Sequence, residues 1–231
     1  MKKKVYGVLI FIFFGCIIFL SGCESSDETL EVEKGLSEVR FLENQCMSMF
    51  SKYISGDYLL ENNQVNWSFV TEDLDVIRNS SDVIEIDFAG LQVPSQNIVD
   101  LENNFRQLES FLAEKNLDLL MKKICDIYSL VSNSILETVS KDEVLKIEKK
   151  TKSNLLYIGY NLATFNKEEA MLYLNELQAN YSELSANKDY IENHSYKINK
   201  IFMDIQKLKT AINDENFEES NKILLEIFEF F

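Results

Sequence analysis

From Cys23 to its end at Phe231 the chain has a single proline, Pro94, and four glycines, Gly35, Gly56, Gly90 and Gly159. That scarcity is the strongest constraint on the fold. A strand-rich domain must turn about every ten residues and draws on glycine and proline to do so. Long amphipathic helices need turn residues only at their ends. The expected class is therefore all-α, with enough chain for one sizeable core or two small ones.

Asparagine supplies the punctuation instead. Asn66, Asn116, Asn166 and Asn216 fall fifty residues apart and open the phrases "NWSFVTEDLDVI", "NLDLLMKKICDI", "NKEEAMLYLNEL" and "NFEESNKILLEI". An asparagine before an apolar pattern of helical period is an N-cap signal, because its side-chain oxygen accepts from first-turn N–H groups. Eight positions beyond each asparagine stand Leu74, Ile124, Leu174 and Leu224, and three further on stand Ile77, Ile127, Leu177 and Ile227. Upstream, Phe105, Leu155 and Ile205 correspond, as do Leu108, Ile158 and Leu208, and Leu112, Leu162 and Ile212. Steps of three and four place each set on one helical face. Helices are expected near 36–60, 67–87, 96–114, 117–137, 142–163, 167–187, 191–213 and 217–230. They should run up and down as antiparallel neighbours, in a helical bundle or hairpin array with a candidate internal repeat of about fifty residues. The stretch "SSDVIEIDFAGLQVPS", Ser80 to Ser95, partly alternates and carries Gly90 and Pro94. It is expected as a helix end followed by an extended loop whose apolar residues cap the core.

The first residues differ in kind. Lys2, Lys3 and Lys4 precede a run without charge up to Glu24, and "VLIFIFFGCIIFL" from Val8 to Leu20 leads into Ser21, Gly22 and Cys23. A basic start, a short apolar run and small residues before a cut are the parts of a secretory signal. On these residues the sequence resembles bacterial lipoproteins, whose lipobox is an aliphatic residue, two small residues and a cysteine. Here these are Leu20, Ser21, Gly22 and Cys23. The resemblance implies that Leu20, Ser21 and Gly22 form the recognition site and that Cys23 receives a diacylglyceryl group on its sulfur. It also implies that cleavage leaves Cys23 as the mature N-terminus. An uncleaved membrane helix would fit the length of the uncharged run but does not call for Leu-Ser-Gly-Cys in that order. Either arrangement keeps the lysines inside and the body on the extracytoplasmic face. Acyl chains on Cys23 would hold the body at the membrane lipid, two or more of them stably. The expected organisation is a signal peptide over 1–22, a lipidated N-terminus with a flexible acidic tether over 23–35, and a helical domain over 36–231. The domain divides into possible halves near 36–137 and 138–231.

Charge narrows the partners. The chain carries 23 basic and 38 acidic residues, a net −15, and loss of Lys2, Lys3 and Lys4 with the leader takes this to −18. Nucleic acid is disfavoured, since its affinity depends on Lys and Arg meeting phosphates. Adhesion of the body to anionic lipid is disfavoured for the same reason. Cys46 and Cys125 each sit in an amphipathic pattern and are expected as packed thiols rather than a disulfide.

Chemistry is harder to find. His194 is the only histidine, and "IENHSYKI" lacks the Glu-x-x-His pairs of carboxylate-bridged metal bundles. It is expected in or near a first helical turn. No glycine-rich phosphate loop and no calcium-binding loop appear. The acidic pairs Glu72-Asp73, Asp142-Glu143, Glu168-Glu169 and Glu218-Glu219 stand near helix starts, where they offset the dipole. Trp67, the sole tryptophan, follows Asn66. Tyr157, Phe105 and Phe228 are expected in the core, with Phe230 and Phe231 folding back onto the last hairpin. No catalytic residue, metal site or cofactor is expected. The sequence reads as a membrane-anchored protein-binding or scaffolding module, the alternative being a small-ligand or cation-binding accessory for uptake.

Overall fold

A computed structural model describes the backbone of residues 24–231, with the side chains from Leu36 onward apart from several in 80–90 and 134–139. The lipobox residues Leu20, Ser21, Gly22 and Cys23 lie outside the described residues. Among those described the chain is all-α and contains no strand. Its helices are α1 (Glu24–Ser55), α2 (Trp67–Gly90), α3 (Ser95–Ala113), α4 (Leu117–Ser129, continued by a π-turn over Leu130–Ile135 and a last turn over Leu136–Val139), α5 (Glu143–Ala163), α6 (Lys167–Ala186), α7 (Lys188–Asn213) and α8 (Phe217–Phe228). Successive helices pack on one another, and α5 also touches α1, α4 and α8. One hydrophobic cluster runs from Val39 on α1 to Phe228 on α8.

Three of the turns are built alike. Glu114, Thr164 and Asp214 end their helices, and Lys115, Phe165 and Glu215 then take positive φ values of 52°, 57° and 57°. The N–H of Lys115 reaches Leu112 O at 3.1 Å and that of Asn116 reaches Phe111 O at 3.0 Å, which closes a Schellman turn. The same pair of bonds recurs from Phe165 and Asn166 and from Glu215 and Asn216. Each asparagine then caps the next helix: Oδ1 accepts from Leu119 N at 3.1 Å, Glu169 N at 3.3 Å and Glu219 N at 3.2 Å. Asn66 does the same more weakly, from Phe69 N at 3.4 Å. One residue thus closes one helix and opens another, which lets antiparallel neighbours follow with almost no loop. The residue before it must accept a left-handed backbone, a cost of roughly 1–2 kcal/mol for a side chain with a Cβ. Changing Asn116, Asn166 or Asn216 to Ala is expected to lower stability by about 1 kcal/mol each, read as a fall in the thermal midpoint followed by circular dichroism.

The positions matched across the four phrases, Leu74, Ile77, Ile124, Ile127, Leu174, Leu177, Leu224 and Ile227, are all fully buried. What recurs is turn chemistry and burial. The helices between the turns differ in length, from 12 residues in α8 to 26 in α7.

Three expectations need correction. The segment 24–35, read as a flexible tether, is helical and continuous with α1. No proline interrupts it, and Glu24, Asp27 and Glu28 stand in its first turns, where negative charge suits the helix dipole. At its other end α1 stops at Ser55 rather than near 60, because Gly56 takes φ +80° and breaks the helix. The Ser80–Ser95 stretch is also mostly helix, since α2 runs to Gly90 and only residues 91–94 connect it to α3. Leu74, Ile77 and Phe88 fall on one helical stripe at steps of three and eleven, and this outweighs the local alternation. Phe88 and Val93 are buried there, so these residues do close the core as expected.

Candidate functional site

The residues from Gly56 to Asn66 form a small hairpin at the end of α1. Leu59 pairs with Val65 in an isolated antiparallel bridge. Leu60 N donates to Gln64 O at 2.8 Å, and Asn63 at the tip has φ 59°. Asparagine tolerates that backbone better than most residues. Asn66 N then donates to Tyr58 O at 2.7 Å, which returns the chain to the body and starts α2.

Between this hairpin and the α3–α4 turn lies a cleft of about 490 Å³, lined among others by Tyr53, Tyr58, Trp67, Glu114, Lys115 and Asp118. Its aromatic side is held in place by carboxylates. The Tyr53 hydroxyl donates to Asp118 Oδ1 at 2.8 Å, and the Tyr58 hydroxyl donates to Asp73 Oδ2 at 2.8 Å. Asp73 in turn receives Lys52 Nζ at 2.7 and 2.8 Å, and that ammonium sits 4.6 Å from the Phe69 ring centre. Burial first, and then the neighbouring carboxylates, push both tyrosine hydroxyls well above the usual range, so they stay protonated as donors. Trp67 is half-buried at the start of α2.

A second polar group is sealed inside. Glu43 on α1 is 1 % exposed and receives Ser132 Oγ at 2.7 Å and the Lys149 ammonium. Ser132 belongs to the π-turn of α4, a feature often tied to special sites. The Tyr128 hydroxyl is buried without a hydrogen-bond partner. Burial, with the charge of Glu43, raises its pKa well above normal. Glu43 and Lys149 satisfy each other and line none of the described clefts, which marks the pair as a staple between α1 and α5.

The residues singled out from sequence are scattered. Trp67 lines the cleft, whereas His194 lies in the second turn of α7, next to the first turn as expected, since that helix starts at Lys188. There the backbone departs from helical values (φ −131°, ψ 15°), and His194 Nδ1 lies 3.1 Å from Tyr190 O with its ring stacked on Tyr190. Cys46 and Cys125 are buried free thiols, and burial raises both well above the usual thiol range. Phe105 and Phe228 are core, and Tyr157 is half-buried against it, donating to Asp126 at 2.9 Å and stacking on Tyr173. Phe230 lies under Lys200 and Phe231 lies edge-on to Tyr181, so the terminus does pack back. Among the described residues no group of three or more His, Cys, Asp and Glu side chains is placed to hold a metal. Nor is any described helix long and apolar enough to cross a membrane.

Sequence reasoning missed Tyr53, Tyr58, Asp118, Glu43 and Lys149. Two signals were present: Gly56 and the Asn62-Asn63 pair mark a turn, and Glu43 stands in the apolar stripe Val39, Leu42, Cys46, Phe50. The chain matches no protein-family model, no curated protein and no solved structure.

Proposed function

We propose that the protein is an extracytoplasmic lipoprotein, held to the membrane through acylated Cys23, whose helical body is a protein-binding module and not an enzyme. The observation that supports a protein partner is the outer face of α7. Tyr196 is 77 % exposed and Met203 58 %, and Phe202 beside them is also exposed. Tyr196 and Met203 stand seven residues apart and so share one side of the helix. Large apolar side chains grouped in this way are characteristic of docking surfaces. The resemblance of Leu20 to Cys23 to a lipobox supports the anchor.

Two experiments test it. A Cys23→Ala protein is expected to lose incorporation of radiolabelled palmitate and to leave the detergent-soluble membrane fraction, and unchanged labelling would sink the anchor. A photo-crosslinking residue at Tyr196 or at Met203 is expected to capture one common partner in intact cells. The same residue at exposed Gln107 should capture none. Different captures from the two α7 positions would refute a single docking face.

A second reading is favoured by the aromatic cleft, namely capture of a small ligand as an accessory to uptake. Its size falls in the range of small-molecule sites, and its lining combines rings with a few fixed polar groups.

A further inference from the structure

We infer that the cleft beside the α3–α4 turn selects an organic ammonium cation, an assignment that rests on the reading of this cleft as a ligand site. Three features agree on that class. Tyr53 and Trp67 bring half-buried aromatic rings to one space, with the fully buried Tyr58 behind them, and aromatic rings attract ammonium groups, tryptophan most strongly. Asp118 contributes a carboxylate that the Tyr53 hydroxyl orients through Oδ1, while Oδ2 accepts no hydrogen bond among the described residues. Glu114 adds a second carboxylate against the single lining cation, Lys115. The net charge of −15 biases approach toward cations over a longer range.

Other ligand classes fit less well. The start of α4 also lines the cleft through Asn116 and Leu117, and helix starts attract anions. Asn116 Oδ1 already accepts from Leu119 N, and Asp118 in that first turn offsets the dipole. An anion would meet both Asp118 and Glu114 on entry. A neutral sugar would stack on the rings and could donate to Asp118 Oδ2, but it would leave the charges of Asp118 and Glu114 uncompensated, and most other polar groups are engaged. Tyr53 and Tyr58 donate to Asp118 and Asp73, and Glu114 Oε1 accepts from Ser110. An ammonium ion needs only the ring faces and the open carboxylate oxygen.

Trp67 is the sole tryptophan, so intrinsic fluorescence reports directly from the lining. Full-length protein in detergent micelles would be titrated with choline, with 3,3-dimethylbutan-1-ol, in which carbon replaces the cationic nitrogen, and with maltose. Choline is expected to give a saturable change and the alcohol to bind at least about ten times more weakly. Asp118→Asn, which keeps an acceptor for Tyr53, is expected to weaken choline about tenfold, with its melting curve checked by circular dichroism. Glu114→Gln, on the exposed turn, should weaken it about threefold and carries the test if Asp118→Asn unfolds. Equal binding of the alcohol, or binding of maltose without choline, would overturn the cation class and leave a ligand site standing. Silence from all three probes would overturn both readings. Choline affinity unmoved by either variant would place the cation elsewhere and overturn the assignment.

Discussion

Lys149→Met is expected to destabilise the protein by about 3–5 kcal/mol, measured as a shift in the urea midpoint at unchanged slope. The change strands the Glu43 carboxylate, whose side chain is 2 % exposed, with only the Ser132 hydroxyl for company. A buried unpaired charge costs far more than the pair contributes when intact. A companion result separates this cause from lost packing. The double change Glu43→Leu with Lys149→Met should recover most of the stability, since an apolar pair of similar volume is often neutral or better. No recovery in the double variant would show that the charge pair is not the cause.

Gly159→Val is expected to cost about 3 kcal/mol and Gly159→Ala about 1 kcal/mol, although alanine is the better helix former by up to about 1 kcal/mol. Gly159 lies inside α5, in the turn before its last, where α1 and α8 meet it. A Cβ there would stand 2.7 Å from Leu224 Cδ2 and 2.8 Å from Phe50 Cε1. Both side chains are fully buried, and Phe50 is further held 6.1 Å from the Phe228 ring. Neither can retreat without opening space elsewhere in a close-packed interior. The glycine is needed for close approach and not for turning, as its place inside α5 shows. A Gly159→Ala protein as stable as the parent, by thermal and urea unfolding alike, would refute this account of the contact.

Much of this architecture was legible in the chain because its signals are local. Asn116, Asn166 and Asn216 cap the helices that follow them, and their neighbours at steps of eight and eleven point inward. Capping and amphipathic period act within a few residues, so four short phrases were enough to place the helix starts. The Schellman turns themselves were not visible, because Lys115, Phe165 and Glu215 fill positions where glycine is usual. The hairpin of residues 56–66 was missed since its apolar residues, Tyr58, Leu59 and Leu60, prolong the pattern of α1 past the break at Gly56.

The candidate site was less legible for a different reason. Tyr53 and Asp118 are 65 positions apart and meet at 2.8 Å. Glu43 and Lys149 are 106 apart. No spacing rule reaches across such distances. The sequence by itself determined that this chain is helical, where the helices after Asn66, Asn116, Asn166 and Asn216 begin and which of their faces turn inward, and on its leader it carries the lipobox-like residues that suggest an address. Only the tertiary structure decided that the polar run Lys149 to Asn154, which contains no large apolar side chain, is nevertheless buried at every position but Lys150. Helix α5 is enclosed by α1, α4, α6 and α8, so its polar side chains turn to their own helix and to partners across the core. Thr151 bonds Ile147 O, Lys152 pairs with Glu148, and Lys149 reaches Glu43. Burial of that kind follows from how many neighbours a helix acquires, a property of the assembled bundle that no single segment encodes.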